Sequence, residues 1–214
     1  MTEEVRITKL TRGDKRGKLE ISTLDKPLIV SHEMILQHRL VEGVVITPAQ
    51  LELLRFESEL YLCDDTAARL LAVRQHSVGE LKAKLTQRKF SVEVARRVIK
   101  KYIDRGVLDD NHYALKLAEK LVAERPCGRS YLVAHLRRKK ISRELAEETA
   151  DMVLTGREEI ALAMASLEKR WAHLGQFELE VARNKSYNYL SRRGFSYPAA
   201  RAAFEKLVNR QKED

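Results

Sequence analysis

The chain is organised around a seven-residue pattern, Leu136-Arg137-Arg138-Lys139-Lys140-Ile141-Ser142, which occurs three times. The other copies are Leu85-Thr86-Gln87-Arg88-Lys89-Phe90-Ser91 and Leu190-Ser191-Arg192-Arg193-Gly194-Phe195-Ser196, at spacings of about 51 and 54 residues. Each copy begins with leucine, carries cations near its middle and ends with serine. Self-similarity at a nearly fixed period indicates a repeat architecture.

Apolar columns extend the match beyond the seven residues. Aligned on the serine, the equivalent positions include Leu85, Leu136 and Leu190, then Ala95, Ala146 and Ala200, then Ile99, Ala150 and Phe204. Thr149 and Ser186 interrupt these columns. After each serine the apolar residues recur at i, i+3, i+4 and i+7, which predicts a helix with one buried face. Serine at the start of such a run is a typical N-cap.

Each copy therefore predicts a unit of three helices. Candidates for the first helices are residues 66–75, 111–125 and 157–171, and the second helices end at Lys89, Lys140 and Gly194. Gly194 suits the left-handed position that closes a helix, which the two lysines fill less comfortably. A unit this small cannot bury its apolar face alone, so stacked units share a core. We predict a mainly α fold of three repeats, residues 64–108, 109–155 and 156–214, forming an elongated curved array.

Residues 1–63 differ from the repeats and form a predicted N-terminal extension. Alternating apolar residues in 5–30 flank the polar turn Arg12-Gly13-Asp14-Lys15-Arg16-Gly17, which predicts a β-hairpin with a possible third strand. Ser31 is placed to cap a short helix that stops near Gly43. Thr47-Pro48 opens a further helix that we expect to reach about Cys63.

The amino-acid composition limits the classes of function that this chain can have. The net charge of +9 and pI near 9.6 favour a polyanionic partner such as nucleic acid. The acidic start has no apolar stretch behind it, and no run approaches the roughly 18 apolar residues of a membrane span. We expect a cytoplasmic monomer without membrane contact. Cys63 and Cys127 lack the spacing of a metal or redox motif, and the histidines are scattered, so neither a metal nor a cofactor is expected.

Basic residues recur at the same corner of every unit, where phosphates or an acidic protein surface would bind. The candidates are Lys82, Lys84, Arg88 and Lys89, then Arg137, Arg138, Lys139 and Lys140, then Arg192 and Arg193. Cations in a last helical turn also stabilise the helix dipole, which is the simpler explanation for some of them. Tyr189 is the candidate for stacking on bases, whereas we expect Trp171 to fill the core.

No constellation for catalysis is present in the sequence. The phosphate loops GxxxxGK[ST] and GxGxxG and the nucleophile elbow GxSxG are absent. The paired acids Asp64-Asp65 and Asp109-Asp110 precede predicted helices, and a capping role accounts for them. We therefore predict a protein that is not an enzyme and has no catalytic residues.

The segment Arg105-Gly106-Val107-Leu108-Asp109-Asp110-Asn111-His112-Tyr113-Ala114 resembles the hallmark of the bacterial RecX family of regulatory proteins, where it joins the first and second repeats. The third copy of the pattern, residues 190–195, is also similar to that family, whereas Lys140 stands where the family usually has glycine. The resemblance covers roughly residues 64–210.

The resemblance implies a modulator of the RecA recombinase, acting in homologous recombination, DNA repair and the SOS response. Such proteins bind RecA and its filament on single-stranded DNA along the filament groove. They typically restrain strand exchange, coprotease activity and ATP turnover, and their binding to free DNA is weak.

Two other classes remain as alternatives. A stand-alone DNA-binding protein resembling a transcription factor needs base-reading side chains in the first turn of a recognition helix. The third helices begin Val92-Glu93-Val94 and Arg143-Glu144-Leu145, which are poorly suited to reading bases. A pure scaffold or interaction protein is the other alternative, and weak DNA binding that does not fall with rising salt would favour it.

Overall fold

The structure, a computed structural model, describes residues 4–14 and 16–213, with side chains to residue 211. Residues 1–3 of the acidic start and Lys15 of the predicted turn lie outside this part. The strands are β1 (Ile7–Arg12), β2 (Arg16–Ile21) and β3 (Leu28–Ser31). The helices are α1 (His32–Gln37), α2 (Pro48–Val73), α3 (Val78–Gln87), α4 (Val92–Asp104), α5 (Asp110–Glu124), α6 (Arg129–Arg138), α7 (Arg143–Leu154), α8 (Glu159–Leu174), α9 (Leu179–Arg192) and α10 (Tyr197–Glu213). The mainly helical fold with a small N-terminal sheet is as predicted.

The chain divides into two compact units. The first contains the residues up to Gln75 together with Glu80–Leu108. The second contains His76–Gly79 and the chain from Asp109 onward. The first turn of α3 therefore belongs to the second unit, although the rest of that helix belongs to the first.

The N-terminal sheet confirms the predicted hairpin and its third strand. The strands are antiparallel in the order β1-β2-β3. Ile7, Leu19 and Val30, one from each strand, are fully buried in a core shared with Leu51 and Leu54 of α2. An isolated hairpin is marginal in water, so packing on α2 is what stabilises this sheet.

Both predicted N-caps of the extension are present, but the first helix is shorter than expected. The Met34 N–H donates to Ser31 Oγ at 3.1 Å at the start of α1. Thr47 forms a capping box with Gln50 at the start of α2. Helix α1 ends at Gln37 rather than near Gly43, because Arg39 adopts a left-handed backbone conformation and Leu40 then turns inward to a buried position.

Helix α2 corrects the prediction of two helices separated near residue 64. It runs unbroken from Pro48 to Val73, since no glycine or proline interrupts residues 49–73. Asp64 and Asp65 consequently lie inside the helix and are not caps. Lys101 Nζ donates to Asp64 at 2.7 Å, and Arg69 pairs with Asp65 at 2.7 Å. The predicted boundary between extension and first repeat thus falls within one helix.

The second and third helices follow the sequence columns closely. Leu85, Leu136 and Leu190 are fully buried. Thr149 and Ser186, which interrupt the columns, are also buried. Ile103 is an exception, at 44 % exposure. The helix-closing residues Lys89, Lys140 and Gly194 have φ values of 68, 60 and 78°, which confirms the left-handed position at all three.

Two of the three serine caps have a second partner that the sequence did not reveal. Ser91, Ser142 and Ser196 each accept a hydrogen bond from the third helix that follows. In the first unit the Glu59 carboxylate also accepts from the Ser91 N–H and hydroxyl, and in the second Glu159 accepts from both groups of Ser196. A glutamate of a first helix therefore fixes the start of the third helix in two of the repeats.

Candidate nucleic-acid interface

Lys82 lies in the middle of α3, and the other predicted basic residues lie in the last turns of α3, α6 and α9 and at the residues that follow. Lys82, Arg88 and Lys89 are exposed, as are Arg137, Arg138, Lys140 and Arg192. None of these seven makes an ion pair with any residue from 4 to 14 or 16 to 211. By contrast, Arg96 and Arg97 of α4 pair with Glu93 at 2.8 and 2.9 Å and lower the pKa of that carboxyl. Cations without an ion-pair partner therefore recur at the ends of all three second helices.

The Arg137-to-Lys140 cluster has a structural role in its main chain. Ser77 Oγ donates to the Lys139 carbonyl at 2.5 Å, and Gly79 lies directly against the backbone of Lys140. Arg137 Nη1 donates to the Ile141 carbonyl at 2.7 Å. Burial and then the cations Arg138, Lys139 and Arg193 lower the pKa of nearby His135. The backbone of the cluster thus holds the segment His76–Gly79 within the second unit, while its side chains create a positive potential.

An equivalent contact, the joint between α6 and α9, is formed by Gly128 and Ser130 at the start of α6 with Arg193 and Gly194 at the end of α9. The Gly128 N–H donates to the Arg193 carbonyl at 2.9 Å, and Ser130 Oγ donates to the Gly194 carbonyl at 3.2 Å. Gly128 and Ser130 occupy the positions that Ser77 and Gly79 occupy one repeat earlier. This exchange of serine and glycine at equivalent positions is the signal that would have revealed the joint.

Arg193 is held within the chain. Its Nη2 donates to the carbonyls of Arg125 and Pro126, the latter at 2.9 Å. Its guanidinium carbon lies 4.4 Å from the centre of the Tyr131 ring, a cation–π distance. Arg193 therefore fastens α9 to the start of α6, and Arg192 is the member of this pair that is free to meet a partner.

The aromatic candidates also differ in their surroundings. The Tyr189 hydroxyl lies 3.2 Å from Ser166 Oγ, and the Arg170 guanidinium lies over the Tyr189 ring at 5.4 Å. Stacking of Tyr189 on a base stays a prediction, with one ring face already occupied. Trp171 packs on the third-repeat core and meets Phe204 edge-on at 6.0 Å, as predicted.

The hallmark segment has a physical role at several positions. Gly106 has φ +67°, and Leu108 is buried at 3 % exposure in the first unit. In the second unit, Asp109 caps α5 by accepting from the His112 N–H at 3.0 Å, which confirms its predicted capping role. Asp110 accepts from the Val78 N–H at 2.8 Å, so it caps the first turn of α3.

Comparison with known proteins agrees with this arrangement. Residues 65–101 match the family model for the first three-helix domain of RecX. The chain is 32% identical over 142 residues to regulatory protein RecX of Pelodictyon phaeoclathratiforme, a match that covers 66% of this chain and 86% of that protein. The chain belongs to the RecX family of regulatory proteins. Regulatory protein RecX of Trichlorobacter lovleyi is 30% identical over 154 residues, covering 70% of this chain and 96% of that relative.

The RecX fold extends over nearly the whole chain. A crystal structure of regulatory protein RecX superposes with a TM-score of 0.65 at 19% identity, covering 91% of this chain and 96% of that one. At this identity the likeness supports the fold alone. Because coverage reaches 91%, most of the N-terminal extension also belongs to this RecX fold.

The cysteines of this RecX-family chain are buried. Burial, with Glu59 and Asp64 nearby, raises the pKa of Cys63 to about 12, and burial raises the pKa of Cys127. Neither thiol is suited to nucleophilic chemistry at neutral pH. Within the described ranges, no three His, Cys, Asp or Glu side chains are grouped to hold a metal, and no helix is long and apolar enough to cross a membrane.

Proposed function

We propose that this RecX-family protein modulates the RecA recombinase by binding RecA and its filament on single-stranded DNA, where it restrains strand exchange, coprotease activity and ATP hydrolysis. The observation that carries the proposal is the recurrence of uncompensated cations at the ends of α3, α6 and α9. A filament presents phosphates and protomers at regular intervals, and a repeated basic surface suits such a partner.

The proposed mechanism acts through binding alone. The sequence contains no nucleotide-binding loop, so any effect on ATP turnover arises from contact with RecA or its filament. Three repeated contact points on one chain raise the effective concentration of the second and third contacts once the first has formed. Binding to free DNA, which lacks the regular protein lattice, is then weaker than binding to the filament.

We expect RecA-dependent ATP hydrolysis and strand exchange on single-stranded DNA to fall when this protein is added at well below one molecule per RecA. The physical reason is that one bound chain contacts several sites and blocks their neighbours. The measurement is ATPase rate and strand-exchange yield against added protein. ATP hydrolysis by this protein without RecA, or no effect at equimolar amounts, would contradict the proposal.

We expect a fourfold glutamine variant of the α6 cluster to weaken filament binding by about tenfold or more, since each lost phosphate contact reduces affinity. The variant combines Arg137→Gln, Arg138→Gln, Lys139→Gln and Lys140→Gln. Co-sedimentation with the filament at several salt concentrations measures it. Circular dichroism checks folding. The matched control carries the same number of glutamine substitutions at arginines that each pair with a carboxylate on their own helix, namely Arg143, Arg97, Arg69 and Arg201. Equal affinity of both variants would leave the α6 cluster with its structural role only.

A further inference from the structure

Helices α8 and α9 form a groove that the repeat pattern did not predict. On α9 its lining residues Lys185, Asn188, Tyr189 and Arg192 follow the helical spacing i, i+3, i+4 and i+7, so they share one face. On α8 Arg170 and His173 line the opposite wall. The cavity measures about 310 Å³, at the lower end of the range for small-ligand sites.

The charge of this groove is positive without local compensation. Three permanent cations line it, Arg170, Lys185 and Arg192, and its lining includes no carboxylate. None of the three makes an ion pair within the described part of the chain. The larger groove between α9 and α10 differs, since its Arg183 pairs with Glu180 at 3.3 Å and its Arg201 with Glu205 at 2.7 Å. Only the first of these two grooves therefore offers free cations to an anion.

Aromatic rings hold two of the cations in place. The Arg170 guanidinium lies 5.4 Å from the Tyr189 ring centre, and Lys185 Nζ lies 4.3 Å from that of Phe177. The Tyr189 hydroxyl is in turn held by Ser166, which is buried. Such cation–π contacts restrict long side chains before a ligand arrives, which reduces the entropy lost on binding.

We propose that this groove binds the phosphodiester backbone of single-stranded DNA, with Arg170, Lys185 and Arg192 as the contacting cations. Tyr189 acts as a positioning residue that holds Arg170, and the exposed Asn188 amide faces the same groove as a donor or acceptor for a sugar or base edge. The inference rests on the proposed function, because it names where the third repeat meets the DNA of the filament.

The test compares two folded variants with equal loss of charge. One carries Arg170→Gln, Lys185→Gln and Arg192→Gln, and the control carries Arg143→Gln, Arg183→Gln and Arg201→Gln. Anisotropy of a labelled single-stranded oligonucleotide, without RecA, measures the affinity from low to moderate salt. We expect the groove variant to bind about tenfold more weakly than the control. Its log-affinity against log-salt slope should be shallower by about 2, from about 0.7 per lost contact.

Equal affinity and slope in the two variants would overturn the groove as a DNA site. Loss of filament binding with unchanged binding to the free oligonucleotide would also overturn it, in favour of an acidic protein surface. Should the triple variant fail to fold, Arg192→Gln alone serves, since Arg192 has no ion-pair partner among the described residues. It should make the slope shallower by about 0.7.

The same variants separate this inference from the proposed function. If the unaltered protein has no effect on RecA while the groove variant still loses oligonucleotide affinity, the RecA proposal fails and the groove proposal stands. If the unaltered protein inhibits RecA and the groove variant equals its control on the oligonucleotide, the groove proposal fails alone.

Discussion

Leu136→Ala is expected to lower the free energy of unfolding of the second unit by about 2 to 5 kcal/mol. Leu136 is fully buried in the second-repeat core, and truncation removes apolar contacts and leaves a cavity. Fluorescence of Trp171, the chain's single tryptophan, reports on the same unit during urea unfolding.

Leu179→Ala is the matched control, because it removes the same atoms from a leucine of the same unit that is 58 % exposed. We expect a change within about 0.5 kcal/mol. A change of that small size for Leu136→Ala as well would mean that the leucine column is not a core position, and the alignment of the three repeats would then be wrong.

Gly194→Ala is expected to destabilise the second unit through two separate effects. Gly194 has φ +78°, and an alanine there costs about 1 to 2 kcal/mol. A methyl group would also meet Ser130 Oγ at 2.7 Å and Tyr131 Cβ at 2.8 Å, as well as the Tyr131 backbone nitrogen. Overpacking of this kind adds about 1 to 3 kcal/mol, because the joint between α6 and α9 must open.

Gly156→Ala separates these effects, since Gly156 lies in the same unit with φ +73° and no atom lies within 4 Å of the added methyl group. Its loss of unfolding free energy should therefore reflect only the cost of placing alanine in a left-handed backbone conformation. Urea unfolding followed by Trp171 fluorescence measures both variants. Equal losses of stability would show that the joint tolerates a methyl group, and that contact between the repeats does not depend on the glycine.

Much of the architecture was predictable because it depends on neighbours close in sequence. The serine caps, the left-handed closures at Lys89, Lys140 and Gly194, and the apolar faces of α4, α7 and α10 follow from helical spacing and from capping chemistry within a few residues. The error at Asp64-Asp65 has a local cause too. Acids there resemble caps, but no glycine or proline interrupts residues 49–73, and within the continuous helix Lys101 and Arg69 are the partners of these acids.

The candidate site was predictable in its charge and not in its geometry. Recurring lysines and arginines indicated a polyanionic partner from composition and period alone. From the sequence alone, Arg192 and Arg193 are predicted to have the same role as contacts to a polyanionic partner. The structure turns Arg193 toward the carbonyl of Pro126, 67 residues away along the chain, and leaves Arg192 exposed.

The sequence by itself determined the family, the repeats and the ends of most helices, because these properties are set by side chains a few residues apart. The tertiary structure alone decided which cations are free, which aromatic rings are covered and where a groove opens. The physical reason is that each of these depends on groups brought together by packing. Arg170 meets Tyr189 across two helices, and no spacing along the chain encodes that contact.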